Sequence, residues 1–326
     1  MSSRLQNIFL AIGVLAIVVM LFTFEVSYAE LWRNLCHAGY WCVAVVLLWA
    51  VIYLMNTFAW RTIILNEGPA AVSLPRLYAM TVTGFALNYT TPVGLLGGEP
   101  YRILALSPYI GNTRAASSVS LFAMTHIFSH FWFWAFSIVL FLVVHPMNMA
   151  ACLMLGLFAL FCVAGILLIL RGYRHGLAVR LVRWATHIPG LRRRMSALYT
   201  QHRDALATVD AQIASLTPWR LVAATLWEFW ARIVGCLEIY FILLTQTADF
   251  SFVDCIFIQA FSSLFANLLW FMPMQAGTRE GGLAIAMGEL GGLARYGVYT
   301  GLITRVRELL WIAVGMLLLK TQKVKT

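Results

Sequence analysis

Charged side chains are scarce in this chain, and their scarcity excludes most classes of protein. Asp, Glu, Lys and Arg make up 11% of the 326 residues, whereas apolar residues make up 61%. A soluble domain carries about a quarter charged and about half apolar residues, so the composition does not fit a soluble fold. The apolar residues come in runs near the roughly 20 that a spanning helix needs. The sequence therefore predicts an all-α polytopic membrane protein.

Motifs of catalysis and cofactor binding are also missing. The sequence contains no ATP-binding motif, no metal-binding acidic motif and no recognisable nucleophile constellation, so we expect no catalytic residue, cofactor or metal. His126 and His130 could form a metal pair, but no third ligand follows at a useful spacing, which favours packing or hydrogen bonding. The six cysteines stand singly and are expected to be small buried residues: Cys36, Cys42, Cys152, Cys162, Cys236 and Cys255.

Positive charge is concentrated in one stretch. The formal net charge of +10 could suggest a nucleic-acid partner, but eight Arg against two Asp fall in residues 171–218, between apolar runs. That pattern is typical of a cytoplasmic loop on an anionic lipid surface, and we expect no nucleic acid. Arg180, Arg183 and the arginines at 192–194 fit an amphipathic surface helix.

Two stretches interrupt the apolar runs with helix breakers and charges. The first is Pro92-Val-Gly-Leu-Leu-Gly-Gly-Glu-Pro-Tyr-Arg102, and the second is Pro273-Met-Gln-Ala-Gly-Thr-Arg-Glu-Gly-Gly282. Pro and clustered Gly break helices. The apolar run 77–89 before the first stretch has only about 13 residues, too few to cross about 30 Å of hydrocarbon. We interpret each stretch as the tip of a re-entrant helical hairpin.

The two stretches also indicate an internal repeat. An offset of 181 residues pairs Pro92 with Pro273 and Glu99 with Glu280 without a gap. We predict a first repeat over 1–144 with a hairpin at about 77–108, and a second over 145–326 with a hairpin at about 252–292. Each repeat has two spans, a hairpin and one span, and the basic loop 171–218 separates the first two spans of the second. The six spans are predicted at 8–24, 39–58, 114–144, 150–170, 221–244 and 295–319.

The charge rule gives the predicted topology. With the basic loop and the Lys tail in the cytoplasm, both termini lie inside and the two repeats have opposite orientations. Inverted repeats with broken helices are the architecture of secondary transporters. We expect the inner (cytoplasmic) membrane of a bacterium. Two alternatives stay open: residues 252–271 could cross fully, which would put the Lys tail outside, and Ser27-Tyr-Ala29 could be a signal-peptidase site rather than part of an uncleaved start.

The tips have the chemistry of a phosphate site. Glycines let backbone N–H groups approach a ligand, and a helix that begins after the tip directs its positive end there. Arg102 and Arg279 could clamp a lipid phosphate, while Glu99 and Glu280 hold them or bind an amine or hydroxyl. Alternatively, the neighbouring charges at each tip only neutralise each other. The predicted substrate-binding set is Gly97, Gly98, Glu99, Arg102, Glu228, Arg232, Gly277, Arg279, Glu280 and Arg305, with Pro92 and Pro273 as helix breakers.

Other charged and aromatic residues lie in the flanking spans. Arg305 and Glu308 share a helix face at i,i+3, and Glu228 and Arg232 share one at i,i+4, whereas Arg307 is expected to point elsewhere and to snorkel. Arg114 and Arg295 are interpreted as interface anchors. The aromatic residues at 128, 131–134 and 136 are expected to face lipid.

At the two tips the sequence resembles the lysylphosphatidylglycerol synthase/flippase membrane-domain family. The resemblance runs from about residue 60 to 319 and is most specific at Gly97-Gly98-Glu99-Pro100-x-Arg102 and at Pro273-x3-Gly277-x-Arg279-Glu280-Gly281. It implies a flippase-like fold that moves a lipid with a polar head group between leaflets. The soluble aminoacyl-transferring domain of fused relatives is not found in this chain, so lipid aminoacylation is not expected. Met274-Gln-Ala276 replaces the glycines usual in relatives.

The sequence thus favours a lipid flippase that moves an anionic or polyprenyl-phosphate-linked lipid by alternating access at a midplane polar site. One alternative is a membrane-embedded transferase that uses Glu99 or Glu280 on a lipid-linked donor. Another is a non-transporting partner of a lipid-modifying enzyme.

Overall fold

A computed structural model describes residues 32–33, 36, 38–90, 97–145, 149–175, 187, 192–246, 250–268, 278–290 and 294–321. The predicted first span at 8–24 and the alternative cleavage site near residue 29 lie outside these ranges. So do Pro92, Pro273 and Gly277, and the side chains of Glu280 and Arg295 are not described either.

Helices account for all the regular structure in the described ranges. In this part of the chain ten α-helices follow one another: α1 Tyr40–Ile64, α2 Leu74–Thr90, α3 Gly98–Ile110, α4 Asn112–Val144, α5 Met149–His175, α6 Arg192–Ala214, α7 Pro218–Leu244, α8 Phe252–Leu268, α9 Thr278–Glu289 and α10 Ala294–Thr321. A 3-10 turn, Leu65–Glu67, extends α1. Among the described residues, three stretches are long and apolar enough to cross a membrane: Tyr40–Glu67, Asn112–Val144 and Cys152–Arg174. The protein is therefore an α-helical integral membrane protein.

Four short helices flank the two predicted tips in the sequence: α2 and α3 the first, α8 and α9 the second. At 1.5 Å per residue, the 17-residue α2 and the 13-residue α3 measure about 25 Å and 20 Å, less than the hydrocarbon core of about 30 Å. Helices α8 and α9, with 17 and 12 residues, are equally short. None of these four helices is long enough by itself to cross a hydrocarbon core of about 30 Å.

The chain forms two compact units. The first comprises residues 1–58, 71–108 and 230–326, and the second comprises 59–70 and 109–229. In the first unit α10 packs against both α2 and α9. A Cβ at Gly315 would lie 2.5 Å from the Ala86 Cβ, and one at Gly297 would lie 2.4 Å from the Ala284 Cα. These glycines let the helix backbones approach closely, as small residues do between membrane helices.

Helices α2 and α3 fold back on each other within the first unit. The Gly98 backbone N–H donates to the Asn88 Oδ1 at 2.7 Å. A Cβ at Gly98 would lie 2.1 Å from the Gly84 carbonyl oxygen, so only glycine fits where the helices meet. One turn further along each helix, the Arg102 guanidinium lies beside Gly84 and Thr81. The register is that of an antiparallel helical hairpin.

The second unit packs α4, α5 and α6 together and ties them to the end of α1. Arg114 Nη2 donates to the carbonyls of Ile64 and Gly68 at 2.7 and 2.6 Å, and its Nε lies 3.8 Å from Glu67 Oε2. The role of Arg114 as an interface anchor stays a prediction, and its contacts show that it binds open carbonyls at the end of α1.

Two sequence expectations, on the aromatic residues of α4 and on the cysteines, are wrong in part. Of the six aromatic residues expected to face lipid, Phe128, Phe133 and Trp134 are buried, because this part of α4 packs against other helices of its unit. Of the cysteines, Cys36 and Cys152 are exposed rather than buried. A thiol is a small apolar group, so exposure to lipid carries little penalty.

Candidate functional site

A group of charged side chains is buried in the first unit, and α10 supplies three of them. Arg307 and Glu308 are each 1% exposed and Arg305 is 7% exposed. Charged residues are expensive inside a membrane protein and usually pair with one another or mark a pathway. With Glu238 of α7 and Arg279 of α9, these residues form what we call the charged cluster.

Glu308 is shared by two arginines from different helices. Its Oε2 accepts a hydrogen bond from Arg305 Nη1 at 3.1 Å, and its Oε1 accepts one from Arg279 Nη1. The Arg305–Glu308 pair is the i,i+3 pair that the sequence predicted. Arg279 instead reaches Glu308 from the first turn of α9, so the alternative in which Arg279 is neutralised only by its neighbour Glu280 does not describe it.

Arg307 forms the most complete ion pair of the cluster. Its Nε and Nη2 donate to the two carboxylate oxygens of Glu238 at 2.9 and 3.0 Å. Trp49 of α1 donates from its indole N–H to the same carboxylate at 2.8 Å, and its ring centre lies 3.8 Å from the Arg307 guanidinium carbon. The expectation that Arg307 snorkels is therefore wrong. Arg307 is residue 14 of the 28-residue α10, too far from either helix end for its side chain to reach the interface.

The cluster carries more positive than negative charge. Three arginines and two glutamates sum to +1 over the side chains that the structure describes there. Glu238 is occupied by a bidentate arginine, and among the described side chains Glu308 is the carboxylate that contacts both Arg279 and Arg305. Buried arginines favour an anion, because charge–charge interactions strengthen as the effective dielectric constant falls.

Described residues next to each predicted tip lie near the charged cluster. Tyr89, at the end of α2 just before the first tip, is close enough to interact electrostatically with Glu308, Arg307 and Arg279. Arg279 itself belongs to the second tip and opens α9. The backbone N–H groups at the start of α9 therefore lie next to Arg279, an arrangement that suits a phosphate group.

The charges of the first tip pair within their own hairpin. Arg102 Nη1 donates to Glu99 Oε1 at 2.7 Å, and the guanidinium carbon lies 4.5 Å from the Phe85 ring centre. The Arg102 side chain is 2% exposed. This geometry is that of mutual neutralisation, the alternative to a phosphate clamp. The second oxygen of Glu99, Oε2, is buried and has no hydrogen-bond partner within the described ranges. Gly97 and Gly98 are both buried beside this pair.

Glu228 lies in the second unit, where it pairs with a histidine. Its Oε2 is 2.7 Å from His126 Nδ1, and Glu228 is 1% exposed. This pairing agrees with hydrogen bonding as the role of His126. Arg232 lies one turn further along α7, is half-buried and falls in the first unit. No group of three His, Cys, Asp or Glu that could hold a metal occurs among the described residues.

The site predicted from the sequence did not include Glu238 or Trp49. A carboxylate in the middle of an apolar helix was the available signal for Glu238. Trp49 gives no such signal, because tryptophan is common in spanning helices.

Comparison with known proteins identifies the family of the chain. No curated protein and no solved structure matches the chain. The sequence model of one family, described as the lysylphosphatidylglycerol synthase TM region, matches residues 8–315. Because that match covers almost the whole sequence, the chain belongs to the lysylphosphatidylglycerol synthase membrane-region family.

Proposed function

We propose that this protein is a lipid flippase that carries a phospholipid or a polyprenyl-phosphate-linked lipid between leaflets by binding its anionic head group at the charged cluster. The observation that carries the proposal is the sharing of Glu308 by Arg279 and Arg305 inside an apolar protein. An incoming phosphate would take over part of the hydrogen bonding that Glu308 now provides. Arginine is suited to this exchange, because its planar donors match phosphate oxygens in pairs.

Arg279 is the proposed first contact of the phosphate. It is the most exposed member of the pair on Glu308, with 16% of its side chain accessible against 9% for Arg305. It also stands in the first turn of α9, where the helix dipole adds to its charge. At the other tip, Glu99 Oε2, which has no partner among the described residues, is the proposed acceptor for a hydroxyl or amine of the head group.

The order of helices supports alternating access. Shifted by the offset of 181 residues, the starts of α1 to α4 fall within three residues of the starts of α7 to α10. Two copies of one helix pattern are the basis of transporters in which one repeat moves against the other. We propose that the two copies are inverted, with both termini in the cytoplasm of a bacterial inner membrane. The stretch 171–218 would then rest on anionic lipid.

Transport of fluorescent lipids in liposomes tests the proposal. Purified protein is reconstituted with a head-group-intact phosphatidylglycerol that carries a fluorophore on one acyl chain, and reduction of the outer-leaflet fluorophore reports movement. We expect Arg279→Ala to slow movement by about 10- to 150-fold, because a hydrogen bond to a charged group contributes about 1.5–3 kcal/mol. Arg203→Ala removes the same charge from an exposed position on α6 and should leave the rate unchanged.

The same assay separates the alternatives. Extraction and mass analysis of the lipid after the assay would reveal covalent change, which would favour the transferase. If wild-type protein moves no anionic lipid faster than empty liposomes do, or if the two arginine variants behave alike, the flippase proposal is refuted.

A further inference from the structure

A groove runs along the first unit between α1 and α10. It has a volume of about 290 Å³ and is lined by Cys42, Val43, Val45, Val46, Ile303, Val306, Arg307 and Leu310. Apart from Arg307 every lining side chain is apolar. Val43 is 59% exposed and Leu310 is 48% exposed, so one side of the groove opens to the surroundings of the protein.

We infer that this groove binds an acyl or polyprenyl chain of the transported lipid. The inference rests on the proposed function, and it adds the place where the tail of the substrate lies while its head group is at the charged cluster. In a membrane the medium that meets Val43 and Leu310 is hydrocarbon. A groove with apolar walls excludes water and head groups but admits a flexible chain.

Continuity with the charged cluster distinguishes this groove from ordinary lipid-exposed surface. Arg307 lines the groove and also holds Glu238, and its Nη1 lies 3.8 Å from Glu308 Oε1. That Nη1 is buried and makes no hydrogen bond within the described ranges. The groove thus leads from lipid to the residue next to Glu308. An amphipathic ligand with its tail in the groove has its polar end directed to the cluster.

The chemistry of Arg307 also suits the junction between tail and head group. A phospholipid carries ester carbonyls there, and a polyprenyl phosphate carries its first phosphate oxygen. Either oxygen can accept from the remaining guanidinium N–H. The charge of Arg307 is already matched by Glu238, so this contact would position the lipid while the excess charge at Arg279 and Arg305 holds the anion.

Photo-crosslinking tests the groove directly. The full-length protein is reconstituted with phosphatidylglycerol that carries a diazirine on one acyl chain, and labelled peptides are mapped after illumination. We expect labelling at 42–46 and 303–310 to exceed labelling per residue at Leu153, Leu157 and Leu160 of α5 by about tenfold, although these leucines are more exposed. A tenfold excess corresponds to a preference of about 1.4 kcal/mol over bulk lipid. Equal labelling of the groove and of α5 would overturn the inference.

A matched pair of variants on α10 gives an independent test. Val306→Trp fills the groove, whereas Val298→Trp adds the same ring at a 51% exposed site that does not line it. We expect Val306→Trp alone to lose the groove labelling and to slow transport, with both variants purifying as folded protein. If Val306→Trp misfolds, Val306→Leu and Val306→Phe provide smaller fillings, and labelling should fall with side-chain volume. Labelling that is insensitive to the filling would overturn the inference.

A disulfide cross-link tests whether a segment of the chain itself, rather than lipid, occupies the groove. If the apolar run 8–24 of this chain fills the groove, a cysteine at Ala16→Cys should cross-link to Cys42 in the membrane, and the lipid inference would be wrong. The outcomes also separate this inference from the proposed function. Groove labelling without transport keeps the lipid site and refutes the flippase, whereas transport without groove labelling keeps the flippase and refutes the site.

Discussion

Removing Arg307 should destabilise the protein more than removing the whole ion pair. Arg307→Met leaves Glu238 buried at 3% exposure, with the Trp49 indole as its one remaining hydrogen-bond donor among the described contacts. Loss of one partner from a buried pair costs about 3–5 kcal/mol, because the other charge stays buried without compensation.

The double variant Arg307→Met/Glu238→Met removes both charges. Replacement of a buried pair by apolar residues of similar volume is often neutral, and the Trp49 N–H loses an acceptor at a cost of about 1 kcal/mol. We therefore expect the double variant to recover about 2–4 kcal/mol relative to Arg307→Met.

Unfolding in mixed micelles measures these differences. Protein in a mild detergent is titrated with sodium dodecyl sulfate while helicity is followed by circular dichroism, and the free energies are compared at one detergent fraction. Arg203→Met on the exposed face of α6 is the control and should change stability by no more than about 0.5 kcal/mol. A double variant as unstable as Arg307→Met, or a single variant that loses less than about 1 kcal/mol, would refute the reasoning.

Two further predictions concern local packing. Gly84→Ala should destabilise by about 1–3 kcal/mol, because its Cβ would lie 2.3 Å from a guanidinium nitrogen. Gly156→Ala, whose Cβ would meet nothing within 4 Å beyond its chain neighbours and the adjacent backbone of its own helix, should be neutral or slightly stabilising, and equal melting temperatures would contradict this. His126→Leu should cost about 1–3 kcal/mol in the same titration, because the buried Glu228 loses a partner at 2.7 Å. His126→Asn, whose amide nitrogen can replace Nδ1, should retain most of the stability, and equal losses for the two variants would count against the hydrogen bond.

Some features could be predicted from the sequence because their signals are local. Prolines and glycines in apolar runs gave the short helices α2 and α3, and the i,i+3 spacing gave the Arg305–Glu308 pair. Both rely on neighbours along one helix, which periodicity fixes. The membrane class followed from composition, and the family followed from the residues of the two tips.

Partners on different helices could not be predicted in the same way. Arg307 and Glu238 are 69 residues apart, and Arg279 and Glu308 are 29 apart. Which charges meet depends on how the helices are rotated and how closely they approach. Glycines such as Gly315 allow neighbouring helices to come close in this protein. The sequence alone does not show which helix packs against a given glycine.

The end of α1 is held by side chains that bind backbone. Arg114 binds the carbonyl of Ile64, Arg220 binds that of Thr62, and Asn66 spans to the backbone of Ser215. A carbonyl is present whatever residue carries it, so exchange of the side chains at positions 62 and 215 leaves these bonds intact, whereas Ile64 is 1% exposed and is constrained by its own packing. The donors have no such freedom, because their side chains make the bonds. Among natural variants we therefore expect Arg114, Arg220 and Asn66 to be retained while residues 62 and 215 vary.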